Sequence, residues 1–390
     1  MPDLTPSEPA ADAPDTDCAA PARAIRPLLT AGAVLGDGPD AAVPAHYGAP
    51  LREQRHLLDG TAVVDLGHLE LLEVAGPDAR TWMTTITSQV LTGTPVGTSS
   101  SLAVLSPQGR VEHLASSVVT GEESLLLVLD PGARAGLRRY LEMMRFAARV
   151  ELTDRDDLRV LGAPSPAPAV LPGLGLPEPV AVWAEPWPAI APGGVAYGPP
   201  PEDPVGAVLS VFDGAALEAL PWEMRHLAGM SSWEALRIAD HRARQVREVD
   251  ERSIPHELDL LRTTVHTAKG CYRGQETVAK VLNLGQPPRR LVMLHLDGSQ
   301  DVPVVPGGEV RLGGADGKVV GTVTSAALHA DLGPIALAVV RRAVPLDAPL
   351  TVQVPVAEAD GGAGEMWIDA AQEPIVVPRD HGERPATAKL

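Results

Sequence analysis

Cys271 lies in the octet Lys269-Gly270-Cys271-Tyr272-Arg273-Gly274-Gln275-Glu276, with a lysine two residues before the sulfur and an arginine two after it. Positive charge near a thiol favours the thiolate, the form that attacks electrophiles and binds metals. On spacing alone, Cys271 is a nucleophile, a redox thiol or a metal ligand that Lys269 and Arg273 assist. The alternative is a small packed side chain in a turn that Gly270 and Gly274 allow to bend. Tyr272 offers a ring either for stacking on a flat ligand or for anchoring a core. Gln275 and Glu276 either hydrogen-bond the turn backbone or reach a ligand. His266, five residues upstream, either approaches the sulfur or is a hydrogen-bonded loop histidine.

The cysteine count limits this chemistry. Only Cys18 and Cys271 exist, so no disulfide framework is available, which fits a reducing cytoplasm. Common iron–sulfur clusters need around four cysteine ligands, or a mixture with histidine. A monomer therefore does not own such a cluster; transient ligation or a bridge between subunits stays open. No His-Glu-x-x-His or paired Cys-x-x-Cys is present, and no metal site is expected. Gly36-Asp37-Gly38 follows no strand and lacks a third glycine, so it is not a dinucleotide fingerprint. Arg242, Arg244 and Arg247, and the pair Arg289-Arg290, either meet carboxylates of a ligand or partner or form a solvated surface.

The elements that must position the octet follow from pattern. Residues 1–45 are rich in Ala, Pro and Asp and read as a disordered tail, with Cys18 incidental. A short helix over His46–His56 starts the fold. Strands are expected at Thr61–Leu66, Leu69–Val74 (inner face ambiguous), Ser101–Leu105, Val111–Thr120, Ser124–Asp130 and Val150–Leu161. Ser106-Pro107-Gln108-Gly109 makes a hairpin turn. Asp78 caps a helix through Trp82 and Met83. Leu137, Tyr140, Leu141 and Met144 share one helix face. Residues 163–204 are dense in Pro, Gly and Ala and read as loop. Ser231-Ser232-Trp233-Glu234 fits a capping box for a helix to His241. Beyond 285, short strands at Leu291–Leu296, Glu309–Leu312, Val319–Ser325, Ile335–Val340 and Leu350–Val354 imply a small antiparallel barrel or sandwich, with Asp316-Gly317 as a hairpin turn.

Composition sets the outer bounds. The 390 residues suffice for two or three domains, and a 45% hydrophobic content with only 3% aromatics predicts a mostly aliphatic core. The formal charge of −18 opposes indiscriminate binding to DNA, RNA or an anionic membrane. No secretory signal or bilayer-spanning apolar run is visible, and a cytoplasmic location is expected.

The octet resembles the K-G-C-Y-x-G-Q-E signature of the YgfZ-type folate-binding family, relatives of the glycine cleavage T-protein. Further fragments match that superfamily in order: Val64-Asp65-Leu66, Leu72 to Ala79, Ser106 to Val111, Leu236-Arg237-Ile238-Ala239, Ile254 to Leu258 and Gly321 to Ser325. The resemblance implies an α+β fold of two interleaved domains around a central cavity, followed by a C-terminal antiparallel β-barrel. It places the tail at 1–45, the folate-binding body at 46–284 with the loop 269–276, the barrel at 285–360 and a second tail at 361–390.

The implied cofactor is tetrahydrofolate or a one-carbon derivative, with Asp65, Arg237, Glu257 and Tyr272 as expected contacts. The implied activity is support of iron–sulfur cluster assembly or repair in other enzymes or with assembly factors, Cys271 and Lys269 carrying the chemistry. One position departs from the aminomethyltransferases. Aligned on Gly109-Arg110-Val111, Leu114 stands where those enzymes carry a catalytic aspartate, and a leucine handles no proton. A folate-dependent aminomethyltransferase is thus the second reading, and a non-catalytic scaffold for assembly factors the third.

Overall fold

The computed structural model describes residues 25, 28, 32–165, 171, 173–300, 303–357, 363–378 and 386–387. Among the described residues twenty strands run in chain order. They are β1 (Val34–Leu35), β2 (Pro44–His46), β3 (Val63–Asp65), β4 (Glu70–Ala75), β5 (Ser99–Leu105), β6 (Val111–Gly121), β7 (Ser124–Leu129), β8 (Glu151–Asp154), β9 (Leu158–Ala163) and β10 (Ala181–Ala184). Then come β11 (Val195–Ala196), β12 (Val208–Asp213), β13 (Leu227–Ala228), β14 (Arg289–Leu296), β15 (Glu309–Leu312), β16 (Lys318–His329), β17 (Gly333–Arg341), β18 (Leu350–Ala357), β19 (Ala363–Pro374) and β20 (Ala386–Thr387). The helices are α1 (Pro50–Leu58), α2 (Ala79–Ile86), α3 (Arg134–Met144), α4 (Gly214–Glu218), α5 (Met230–Ala239), α6 (Gln245–Glu248) and α7 (Gln275–Leu284).

Two five-stranded sheets form the body, in the orders β5-β6-β7-β4-β8 and β10-β12-β9-β3-β13. The second sheet takes β3 from before the first sheet and its other strands from after it, so the two halves interleave. Antiparallel pairing dominates; β13 runs parallel to β3. Both faces of the first sheet are covered, which resolves the ambiguous face of β4. Leu72 and Val74 pack with α2 and α3, while Leu71 packs toward the second sheet and α5. A closed six-stranded antiparallel barrel, β14-β17-β16-β15-β18-β19, follows the body. Its inner residues, among them Val292, Val310, Val352 and Ile368, form a separate aliphatic core. Leu291, Met293 and Leu337 on its outside pack with Ile238 and Leu258 of the body. Among the described residues, no helix is long and apolar enough to cross a membrane.

Several local expectations are corrected. Cys18 lies outside the described residues, but part of the expected tail is structured: β1 pairs with β2, and Asp40 is buried. The Asp78 carboxylate does not cap α2; it accepts from the Arg149 backbone and guanidinium at 2.7–3.0 Å. Helix α5 starts after Gly229 with no side-chain cap. Glu234, expected in a capping box, is buried against arginines instead. Val150–Leu161 divides into β8 and β9 around a turn. The barrel takes its sixth strand, β19, from the stretch expected as the second tail.

Candidate functional site

The octet closes against the hairpin between β5 and β6. Gly274 adopts φ +81° as the residue before α7, and a Cβ there would stand 2.5 Å from the Ser106 carbonyl oxygen and 3.0 Å from Gly109 Cα. Gly109, at φ +74°, leaves equally little room: its Cβ would meet the Thr277 side chain at 2.9 Å. Only glycines permit both the left-handed backbone and this approach. Gln275 and Glu276 belong to the first turn of α7 rather than to a loop, and the Gln275 amide donates to the Lys269 carbonyl at 3.2 Å. Glu276 is exposed.

Cys271 is exposed and free. The two cations that flank it in sequence have other partners. The Lys269 ammonium donates to the Thr84 and Thr87 carbonyls at the C-terminal end of α2, a position where the helix dipole favours positive charge. It also lies 4.9 Å from the Tyr272 ring centroid. Burial pulls its pKa down to about 8. Arg273 pairs with Glu112 at 2.7 Å and lies 5.8 Å from the Tyr140 ring centroid. Lys269 and Arg273 thus anchor the octet to α2 and to β6. Tyr272 is a core anchor packed with Leu105, Val111 and Val278. Its hydroxyl has no hydrogen-bond partner among the described residues, and burial raises its pKa to about 12. His266 is half-buried beside Gly193, and burial lowers its pKa.

A cavity of about 170 Å³ lies between the two sheets and α5. Trp183, Trp233, Leu114, Glu185, Arg242 and Gln245 are among its lining residues. Burial raises the Glu185 pKa, with Arg242 opposing the shift. The Trp187 amide donates to Glu185 at 3.1 Å. Arg242 lies 3.3 Å from Asp240 and 5.8 Å from the Trp233 ring centroid, and its Nε and Nη2 make no hydrogen bond among the described residues. The cavity therefore offers aromatic walls, one carboxyl whose pKa burial raises and one guanidinium. Such a surface suits a planar, polar-edged ring. Leu114 lines it as well, its amide donating to Gln245 at 2.6 Å.

The expected contacts sort differently. Arg237 lines the cavity, but its guanidinium is saturated by Glu234, Glu248, the Arg242 carbonyl and Ser325. Asp65 is not among the lining residues; it is fully buried and accepts from the amides of Ile25 and Gly67 at 3.0 and 2.8 Å. Burial raises its pKa against those two bonds. Glu257 is also absent from the lining, held by Arg289 at 2.8–3.0 Å. Tyr272 is likewise absent from the lining. Of the arginine run, Arg244 lines this cavity and pairs with Asp40, Asp130 and Glu234, whereas Arg247 pairs with Asp40 and lines a second cavity. Neither is a solvated surface residue. Glu185 escaped sequence reasoning because it stands in the Pro-rich stretch with no motif around it. Among the described residues no His, Cys, Asp and Glu cluster suited to a metal ion occurs.

No family model matches the chain. In sequence it is similar to a putative chloroplastic transferase of Arabidopsis thaliana, 25% identical over 293 residues, which are 68% of this chain and 62% of that protein. It is also similar to the aminomethyltransferase of Nitrosococcus oceani, 23% identical over 138 residues, 35% of this chain and 37% of the relative. The chain thus spans less than two thirds of either relative. In structure it matches the glycine cleavage system aminomethyltransferase T of Bartonella henselae with a TM-score of 0.65 and 17% identity, covering 92% of this chain and 98% of that one. The fold is that of the glycine cleavage aminomethyltransferases.

Proposed function

We propose that this protein binds tetrahydrofolate in the cavity between its sheets and supports assembly or repair of iron–sulfur clusters in other enzymes. The observation that carries the folate half is one cavity lined by a carboxyl, Glu185, a guanidinium, Arg242, and two tryptophans, Trp183 and Trp233. A reduced pterin edge presents N–H donors beside carbonyl and ring-nitrogen acceptors, which match a carboxylate and a guanidinium respectively. Trp183 and Trp233 supply the aromatic walls, and the rest of the folate extends toward the mouth. Bound folate would supply one-carbon chemistry there. The cluster half rests on the octet, which resembles the YgfZ-type signature and holds Cys271 in the open. An exposed thiol on a backbone locked at Gly274 is accessible to a cluster or its iron species, which is cargo rather than resident metal.

The test is tetrahydrofolate titration of the purified protein, together with the activity of a cluster-dependent enzyme in cells carrying Cys271→Ser. Retained folate binding with lost client activity is the expected result. Full client activity in that variant sinks the thiol role, and absent folate binding favours the scaffold reading.

A specific observation also keeps the transferase reading alive. Glu185 offers the cavity a carboxyl of raised pKa, the acid–base group that Leu114 withholds. Formation of methylene-tetrahydrofolate from an aminomethyl donor by the pure protein, abolished in Glu185→Gln, would establish it.

A further inference from the structure

The chain contains only two phenylalanines, and one of them, Phe146, is 86% exposed. It stands just past α3 at φ +42°, a left-handed conformation that costs a bulky L-residue energy. Beside it Met143 is 62% exposed, and these two are the most exposed large apolar side chains among the described residues. The charges around them are uneven. Arg138 is paired with Glu142 and Asp154, and Arg149 with Asp78. Arg139 and Arg145 are exposed, and among the described residues no hydrogen bond or ion pair engages their side chains. In a chain of net charge −18, this corner carries two uncompensated cations around an aromatic knob. Phe, Met and Arg are residue types enriched where proteins meet.

The helices that carry this corner also anchor the octet. Tyr140 of α3 lies under Arg273 and donates to the Ile86 carbonyl of α2 at 3.1 Å. Trp82 of α2 donates to the Met144 carbonyl at 3.1 Å, and Lys269 seals the end of α2. The knob and the Cys271 segment therefore belong to one packed subassembly.

We propose that Met143 and Phe146, flanked by Arg139 and Arg145, are the docking surface for a protein partner. That partner presents an apolar socket rimmed by acidic side chains. Resting on the reading of Cys271 given above, it is the protein that exchanges cluster or iron with that segment. A bilayer is the poorer match, because α3 is short, its other face is buried and the net charge repels anionic headgroups.

The double variant Phe146→Ala/Arg145→Glu tests this in cells that lack the native copy, scored by the activity of a [4Fe–4S] dehydratase beside Cys271→Ser. Tetrahydrofolate titration of each purified variant checks that the fold and cavity persist. The expected result is client activity at least tenfold below wild type in the double variant, with folate affinity within about twofold, and recovery in Arg145→Lys. Wild-type client activity in the double variant overturns the surface. If the double variant loses activity while Cys271→Ser keeps it, the surface stands and the thiol reading falls. Flotation of the wild-type protein with phosphatidylglycerol vesicles, lost in the double variant, would overturn the protein partner in favour of a lipid surface.

Discussion

Glu185 and Cys271 pose opposite problems at the scale of single residues. The thiol stands in a recognisable octet, so its importance is legible from spacing and resemblance, yet the partners of Lys269 and Arg273 are not. Those partners, Thr84, Thr87 and Glu112, lie some 160–185 residues away in sequence, beyond any local pattern. Glu185 reverses the case, because its surroundings are assembled by strand pairing and no motif announces it. Its raised pKa has a measurable consequence. Ligand N–H donors favour the carboxylate, so folate affinity should fall as pH drops below the raised pKa of the free protein. The fall approaches tenfold per pH unit. In Glu185→Gln that slope should vanish and the affinity at neutral pH should drop about tenfold or more, which calorimetry at several pH values would reveal.

Among the elements, strands with clear alternation were readable and caps were not. The β5–β6 hairpin and the first five barrel strands follow from apolar runs between turn residues. Strand β19 was hidden because Gly364, Glu365, Asp369 and Ala370 have poor strand propensity, and pairing with β14 and β18 overrides it. The Ser231–Glu234 box misled because Glu234 faces Arg237 and Arg244, a tertiary attraction that outweighs a local cap. The contact between Gly109 and Gly274 is the most exacting local feature. Gly274→Ala must adopt a left-handed backbone, at about 1–2 kcal/mol, and relieve an overlap with the Ser106 carbonyl. A destabilisation above about 2 kcal/mol is expected, with α7 exchanging its amide hydrogens faster than the barrel does. Gly270→Ala, whose Cβ meets nothing within 4 Å, is the control that should leave stability unchanged.

Across the whole molecule, one ionic network holds the parts together. Asp40 joins Arg244 and Arg247, Arg244 reaches Asp130 just past β7, and Arg237 links α5 to Glu248 and to Ser325 in the barrel. Burial alone would raise the Glu234 pKa, but Arg237 and Arg244 pull it down to about 2. Its carboxylate thus contributes stability that is present above the unfolded-state value near 4.5 and is lost as pH falls toward 2. Glu234→Gln should cost about 3–5 kcal/mol, as buried arginines lose a partner. The same substitution should flatten the acid limb of a denaturation profile between pH 4.5 and 2. The family resemblance made the α+β class legible and the strand pattern beyond 285 the barrel, but this network was not, since it joins residues from 40 to 325.

The interleaving of the two sheets also dictates a schedule during synthesis. Strands β4 to β8 are contiguous between residues 70 and 154, so the first sheet can close while translation continues. Strand β3, made earlier, pairs with β9 and β13, and the latter emerges only at residue 228. At roughly 5–20 residues per second, Val63 and Val64 wait about 8–30 seconds for their complete sheet. Asp40 waits longer still, until Arg244 and Arg247 leave the ribosome. A strand made early in this protein thus waits for a partner made some 160 residues later, which makes the nascent chain, rather than the finished fold, the state most exposed to aggregation and most in need of a chaperone.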